Sequence, residues 1–235
     1  MLRDLLDRRV EYIARDGDDY LDAVQNARVA ANAERYYRVM YYGSIASWNL
    51  RDQHMFETLD SIRRFRGPNT KVIVWEHNSH IGDASATEMG ARGEHNVGQL
   101  CRSAYGEDAF NVGFGTDSGT VAAADEWDSP MQVMSVRPSV TDSYERVFHE
   151  SGIPALMLHL RHPSRDAVRE ELGQQRLERA IGVVYKPRTE MASHYFHAVL
   201  PRQFDEYIWF DRTTAITPLD EPAPVGVPDT YPFGL

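Results

Sequence analysis

A chain of 235 residues, 42% hydrophobic and 26% charged, can bury one sizeable core, with or without an appended segment. Its 35 acidic side chains outnumber 25 basic ones, and the arginines are scattered, so it offers no basic cluster to neutralise nucleic-acid phosphates. Cys101 is the only cysteine, which excludes an internal disulfide and a cysteine-rich zinc site. The apolar runs are too short to span a bilayer and the first residues carry no signal-peptide core, so no membrane partner and a cytoplasmic location are expected.

The first 66 residues read as helical. Leu2, Leu5, Leu6, Val10 and Ile13 recur at amphipathic spacing. After a break at Gly17, Leu21, Val24, Ala27 and Ala31 continue the pattern into Tyr36, Tyr37, Tyr41 and Tyr42, and Gly43 and Ser44 punctuate the chain. A third helix is predicted from about Asn49, turning Met55, Phe56, Leu59 and Ile62 inward and stopping at Gly67 and Pro68. The period then changes. Residues 71–75 (Lys-Val-Ile-Val-Trp) form a β-branched apolar run after a Gly-Pro turn and predict a buried strand.

A polar, glycine-containing loop is expected from His77 to about Glu94, then a helix over 96–105 with Gly106 at its end. Strands are predicted at 109–114 and 155–160, with weaker signals at 121–124 and 131–136, and a helix over 143–150. Strands over 180–185 and 207–210 complete the set. This alternation predicts an α/β fold with a mixed central sheet flanked by helices and an N-terminal helical segment. Residues 1–66 are then a helical segment packing on a sheet domain at 67–217. Residues 218–235, with Pro218, Pro222, Pro224, Pro228 and Pro232, form a tail that wraps the surface or is disordered.

The sharpest chemical feature is Trp75-Glu76-His77-Asn78-Ser79-His80, followed by Ile81-Gly82-Asp83. Two histidines and an asparagine leave the end of a predicted strand, where open α/β sheets place ligand-binding groups. A neutral imidazole there can take a proton from water, and an imidazolium can stabilise an oxyanion. The plain alternative is a polar strand end on the surface. As a metal pair the spacing is imperfect, since the helical zinc signature sets its histidines four apart and these are three apart. A third ligand would have to come from Asp83, Glu88, Glu94 or His95, so metal binding is the lesser reading.

Asn49-Leu50-Arg51-Asp52 is a second constellation. Arg51 can hold a carboxylate or oxyanion, whereas Asp52 in a first helical turn has a bland explanation in the helix dipole. Several look-alikes fail. Gly115-Thr116-Asp117-Ser118-Gly119 places its serine one position late for a nucleophile elbow, and Gly113, Gly115 and Gly119 miss the dinucleotide spacing. Cys101 on the apolar side of a helix reads as a buried structural thiol, and His194 and His197 in their aromatic stretch read as core packing before pocket lining.

Asn49-Leu50-Arg51-Asp52 with Met55, and Val74-Trp75-x-His77-Asn78-x-His80-Ile81-Gly82-Asp83, together resemble the erythromycin esterase family. The segments Glu88-Met89-Gly90, Val112-Gly113-Phe114, Leu177 to Val183 and Phe204 to Ile208 extend the likeness, which runs from about Asn26 to Leu219. The resemblance implies a fold unrelated to serine hydrolases that cleaves macrolide lactones or other small esters by activating water, without a covalent acyl-enzyme. On that likeness His77 and His80 are the catalytic residues, Arg51, Asp52 and Asn78 bind substrate or support them, and no metal or other cofactor is needed. Macrolide resistance does not follow from it.

The family's N-terminal half carries a Gly-Glu-x-x-His-Gly motif that is absent here, and Gly93-Glu94-His95 is only an echo lying after the histidine core. The expectation is therefore an erythromycin-esterase-like chain, truncated and of impaired turnover, that forms a homodimer or depends on a missing N-terminal segment. A non-catalytic binding module that keeps the cleft is the alternative, and a metal-dependent hydrolase on the same histidines a third reading.

Overall fold

A computed structural model of the chain describes residues 2–41, 43–161, 164 and 166–219. The helical segment comprises α1 (Leu2–Asp7), α2 (Arg9–Arg15), α3 (Gly17–Met40) and α4 (Ser44–Arg66). Asp16 starts α3 by accepting the backbone N–H groups of Asp18 and Asp19, and Gly67, at a φ of 103°, ends α4 where Gly-Pro predicts a stop. α4 begins at Ser44, more than a turn before the expected start at Asn49. Asp52 thus lies in the body of the helix, and the dipole explanation no longer applies to it.

The loop expected from His77 to Glu94 holds two short helices, α5 (Asn78–Ile81) and α6 (Glu88–Ala91). α7 (Val97–Tyr105) follows as expected, capped by the Asn96 side chain and ended by Gly106, and it packs against α4. The strands are β1 (Val112–Ala123) and β2 (Gln132–Val136), then β3 (Ala155–His159) after α8 (Tyr144–Glu150). β4 (Arg176–Arg179) follows α9 (Asp166–Glu171). α10 (Glu190–Ser193), β5 (Tyr195–Ala198), α11 (Leu200–Gln203) and β6 (Glu206–Thr213) close the order.

The central sheet runs β2-β1-β6-β3. Its middle pair is parallel, and β2 and β3 join antiparallel, which makes it the expected mixed sheet. β4 and β5 form a separate antiparallel pair. The core lies on one sheet face, where Tyr207 and Trp209 of β6 meet Phe148 of α8 in stacked contacts, both at 5.3 Å between ring centroids. Tyr144, Leu160, Leu172, Ala198, Leu200 and Phe204 complete that cluster.

Several expectations need correction. Residues 71–75 are not a buried strand: they join no sheet, and Ile73 and Trp75 are 91% and 86% exposed. An all-apolar strand is buried only with a neighbour beside it and cover on both faces. Here the Phe114 N–H and C=O on the free edge of β1 are bonded instead by the Asn78 side chain. The strands at 109–114 and 121–124 are one long β1, hidden by its polar and glycine-rich middle. Gly115 belongs there because a Cβ would stand 2.2 Å from the Tyr207 hydroxyl oxygen.

No strand forms over 180–185, where only Val184 makes an isolated bridge, to Ala124. The strand lies earlier, in β4, where buried Glu178 and Arg179 break the apolar pattern that sequence reading relies on. β3 forms where a strand is predicted over 155–160, at the edge of the sheet and with one face open. The proline-rich tail lies, from residue 220 on, outside the described residues, and so does Tyr42. No described helix is long and apolar enough to cross a membrane.

Candidate functional site

Asp52 and His80 meet at the centre of the candidate site. Asp52 is fully buried on α4, and its Oδ2 accepts from His80 Nδ1 at 2.8 Å and from the Val97 backbone N–H at 3.3 Å. A buried carboxylate on Nδ1 holds the imidazole in the tautomer that leaves a lone pair on Nε2. That atom faces Arg51 Nη2 at 3.4 Å. Trp48 stacks on the His80 ring at 4.6 Å and 8°, and the Arg51 guanidinium lies over the other ring system, Trp48, at 4.7 Å. Trp48, Arg51 and Asp52 share one face of α4 through their three- and four-residue spacing. Side-chain exposures of 18% for His80 and 43% for Arg51 let water reach the pair.

His77 stands at the other end of the same short helix. It caps α5, with Nδ1 accepting from the Ser79 N–H at 3.2 Å, which leaves the Nε2 hydrogen to the Ile181 carbonyl at 3.0 Å. Both ring nitrogens are therefore engaged, and burial pushes the imidazole pKa down, against the bond to Ile181. Asn78 is engaged too, donating to the Phe114 carbonyl at 2.7 Å and accepting its N–H at 3.1 Å.

A cleft of about 1570 Å³ opens beside this loop, lined among others by Trp75, Glu76, His77, Asn78, Phe114 and Phe210. His80 is absent from its wall and packs against α4 instead. Residues 76–80 thus serve two environments, the cleft and the Asp52 pocket.

Sequence reading missed two contributors. Trp48 was visible only through its helical spacing from Arg51 and Asp52. Glu76 was named only as part of the loop motif, with no role of its own. Burial raises its carboxyl pKa above the usual range, opposed by His80 and Arg51, and its Oε2 has no hydrogen-bond partner among the described residues.

Among the described residues, the one set of three ligating side chains whose donor atoms converge is Asp117, His149 and Asp211, and neither loop histidine belongs to it. Burial pushes the Cys101 thiol up to about 11, in keeping with a structural role. The Gly115–Gly119 look-alike lies within β1 and not at a strand-to-helix turn. His194 accepts the Lys186 N–H and stands 3.1 Å from the Ala180 carbonyl, so it is part of the frame.

A solved Bacillus cereus protein is similar over 90% of this chain and 49% of its own, at 18% identity and a TM-score of 0.72. A solved succinoglycan biosynthesis protein is similar over 87% of this chain and 48% of its own, at 19% identity and a TM-score of 0.62. A mutant of erythromycin esterase EreC in its open conformation matches at 16% identity and a TM-score of 0.49, over 74% of this chain and 40% of its own. The chain spans about half the length of the first two structures. The erythromycin esterase family model matches residues 1–213, and on that match the chain belongs to the erythromycin esterase family.

Proposed function

We propose that the chain is a hydrolase subunit acting on a small-molecule ester or lactone, with His80 as the base that activates water. The observation that carries this reading is the 2.8 Å bond from His80 Nδ1 to buried Asp52, which turns the Nε2 lone pair toward Arg51 Nη2, whose long 3.4 Å bond a water displaces before Nε2 accepts its proton. His80 Nε2 takes the proton of a water whose oxygen adds to the carbonyl carbon. The resulting oxyanion is held by the Arg51 guanidinium. Collapse expels the alkoxide, which takes the proton back from His80. His77 and Asn78 position the loop: one caps α5 and the other ties it to β1. No metal or organic cofactor enters this scheme.

The test is hydrolysis of an activated aryl ester and of a macrolide lactone by the chain and by His80→Ala. The variant is expected to lose on the order of 10²-fold to 10⁴-fold in kcat. Equal rates in the two would overturn the assignment.

A second reading, a binding module that retains the cleft without turnover, is favoured by the sheet face left partly open at Phe210 and Met157. On either reading we infer that another body of protein covers this face, either a second copy of the chain or a segment of a longer family protein. The chain alone is then of low activity. Light scattering together with a dye for apolar surface tests this, and a dye-silent monomer would refute it.

A further inference from the structure

We propose that Asp117, His149 and Asp211 bind one divalent transition-metal cation that clamps β1, β6 and α8 together. The three side chains come from three elements, and their ligand atoms lie within 4.8 Å of one another. The register pairs Thr116 with Phe210 and Ser118 with Arg212, so Asp117 and Asp211 stand opposite each other on neighbouring strands. Like charges in that position repel. Both carboxylates nonetheless turn to the same nitrogen, His149 Nδ1, with Asp211 Oδ1 at 2.7 Å and Asp117 Oδ2 at 3.7 Å.

A single proton on Nδ1 serves only the nearer carboxylate, because 3.7 Å is beyond hydrogen-bonding reach. A cation between them would serve all three groups. Ligands about 2.1 Å from one ion stand up to about 4.2 Å apart, so small side-chain movements would gather this set. Asp117 is 3% exposed and already aimed: the Ser139 N–H and hydroxyl hold its Oδ1 at 3.1 and 2.5 Å. Such orienting partners are what fix a metal-ligating carboxylate. Arg146 stands 4.0 Å from Asp117 Oδ1, Arg179 bonds the Asp117 backbone carbonyl rather than its carboxylate, and partial exposure of His149 and Asp211 leaves room for water ligands. An imidazole with two carboxylates suits zinc or manganese, whereas calcium prefers an all-oxygen shell. The set lies on the covered sheet face with α8, apart from Asp52 and His80, so its role is structural.

The whole chain, stripped with a chelator, should bind about one zinc or manganese ion by isothermal titration and melt at a higher temperature when loaded. His149→Ala and Asp211→Asn should each abolish binding and the melting shift. Ser139→Ala should weaken binding about tenfold. Asp211→Asn preserves shape and decides the matter if His149→Ala does not fold, as judged by cooperative melting without metal. The His77→Ala, His80→Ala double variant should keep the ion. No binding by the stripped chain, binding unchanged in Asp211→Asn, or loss confined to the double variant would each overturn the proposal.

Discussion

Along β6, Tyr207 and Trp209 have no exposed surface, while their neighbour Phe210 is 45% exposed. The same division runs across the central sheet. Gly113 of β1 and Leu156 and Leu158 of β3 turn to the side of Phe148 and Phe204, and Phe114 and Met157 turn to the other, where they are 43% and 58% exposed. The covered face is a packed aromatic core with glycines fitted to it. The other face carries Phe114, Phe210 and Met157 and, among the described residues, is covered only in part, where Trp75 meets Phe114 at 6.2 Å between ring centroids and a cleft separates residues 72–75 from Phe210. Apolar character in a strand records what the strand is suited to contact, and a covering layer must still be supplied.

Substitutions on the two faces test that contrast. Trp209→Ala should cost about 3–5 kcal/mol in urea unfolding, because a fully buried indole leaves a cavity between β6 and α8. A loss under about 1 kcal/mol would mean that the covered face is no better packed than the open one. At the edge between the faces, Asn78→Ala should cost about 1 kcal/mol, since Phe114 loses both partners and water replaces them only in part. No change would show that this edge is already solvated.

A gain is expected from Glu178→Gln behind the covered face. Burial, reinforced by buried Glu145, holds the Glu178 carboxyl well above its ordinary range. The folded chain therefore holds this proton more tightly than the unfolded one. Its contribution is complete below the unfolded carboxyl pKa and is lost as pH rises through the folded value. The wild type should weaken with rising pH across that window. The amide, which can still accept from Gln203, should melt higher than wild type at neutral pH and show less pH dependence. An identical pH profile would remove Glu178 from the account. The smallest effect belongs to the open face: Phe210→Ser should change stability by no more than about 0.5 kcal/mol while lowering binding of an apolar dye. A cost near that of Trp209→Ala would mean that this face is covered in solution.

The candidate site divides along similar lines. His77, Asn78 and His80 stand out in the sequence because polar groups cluster where the pattern changes from apolar run to loop, whereas Arg51 and Asp52 were singled out as a second constellation and through the family resemblance. Their division of labour was not legible. Nothing in the spacing says that Asn78 bonds β1, that both nitrogens of His77 are engaged, or that Asp52 chooses His80 across 28 positions. Asp52 was also obscured by a helix start set too late, which made a buried carboxylate look like a solvated first-turn residue.

The sequence by itself determined the long N-terminal helices and those over 97–105 and 144–150, through their periodicity and glycine stops, along with the α/β class and the family. These depend on local hydrogen bonding, on periodicity and on motifs, all of which lie within a few residues of one another. The tertiary structure alone decided that residues 71–75 stay out of the sheet, that Glu178 and Arg179 form a buried strand, and that Asp117, His149 and Asp211 converge. Each of those outcomes turns on which distant segment satisfies a backbone edge or a buried charge, and chain order does not encode that choice locally.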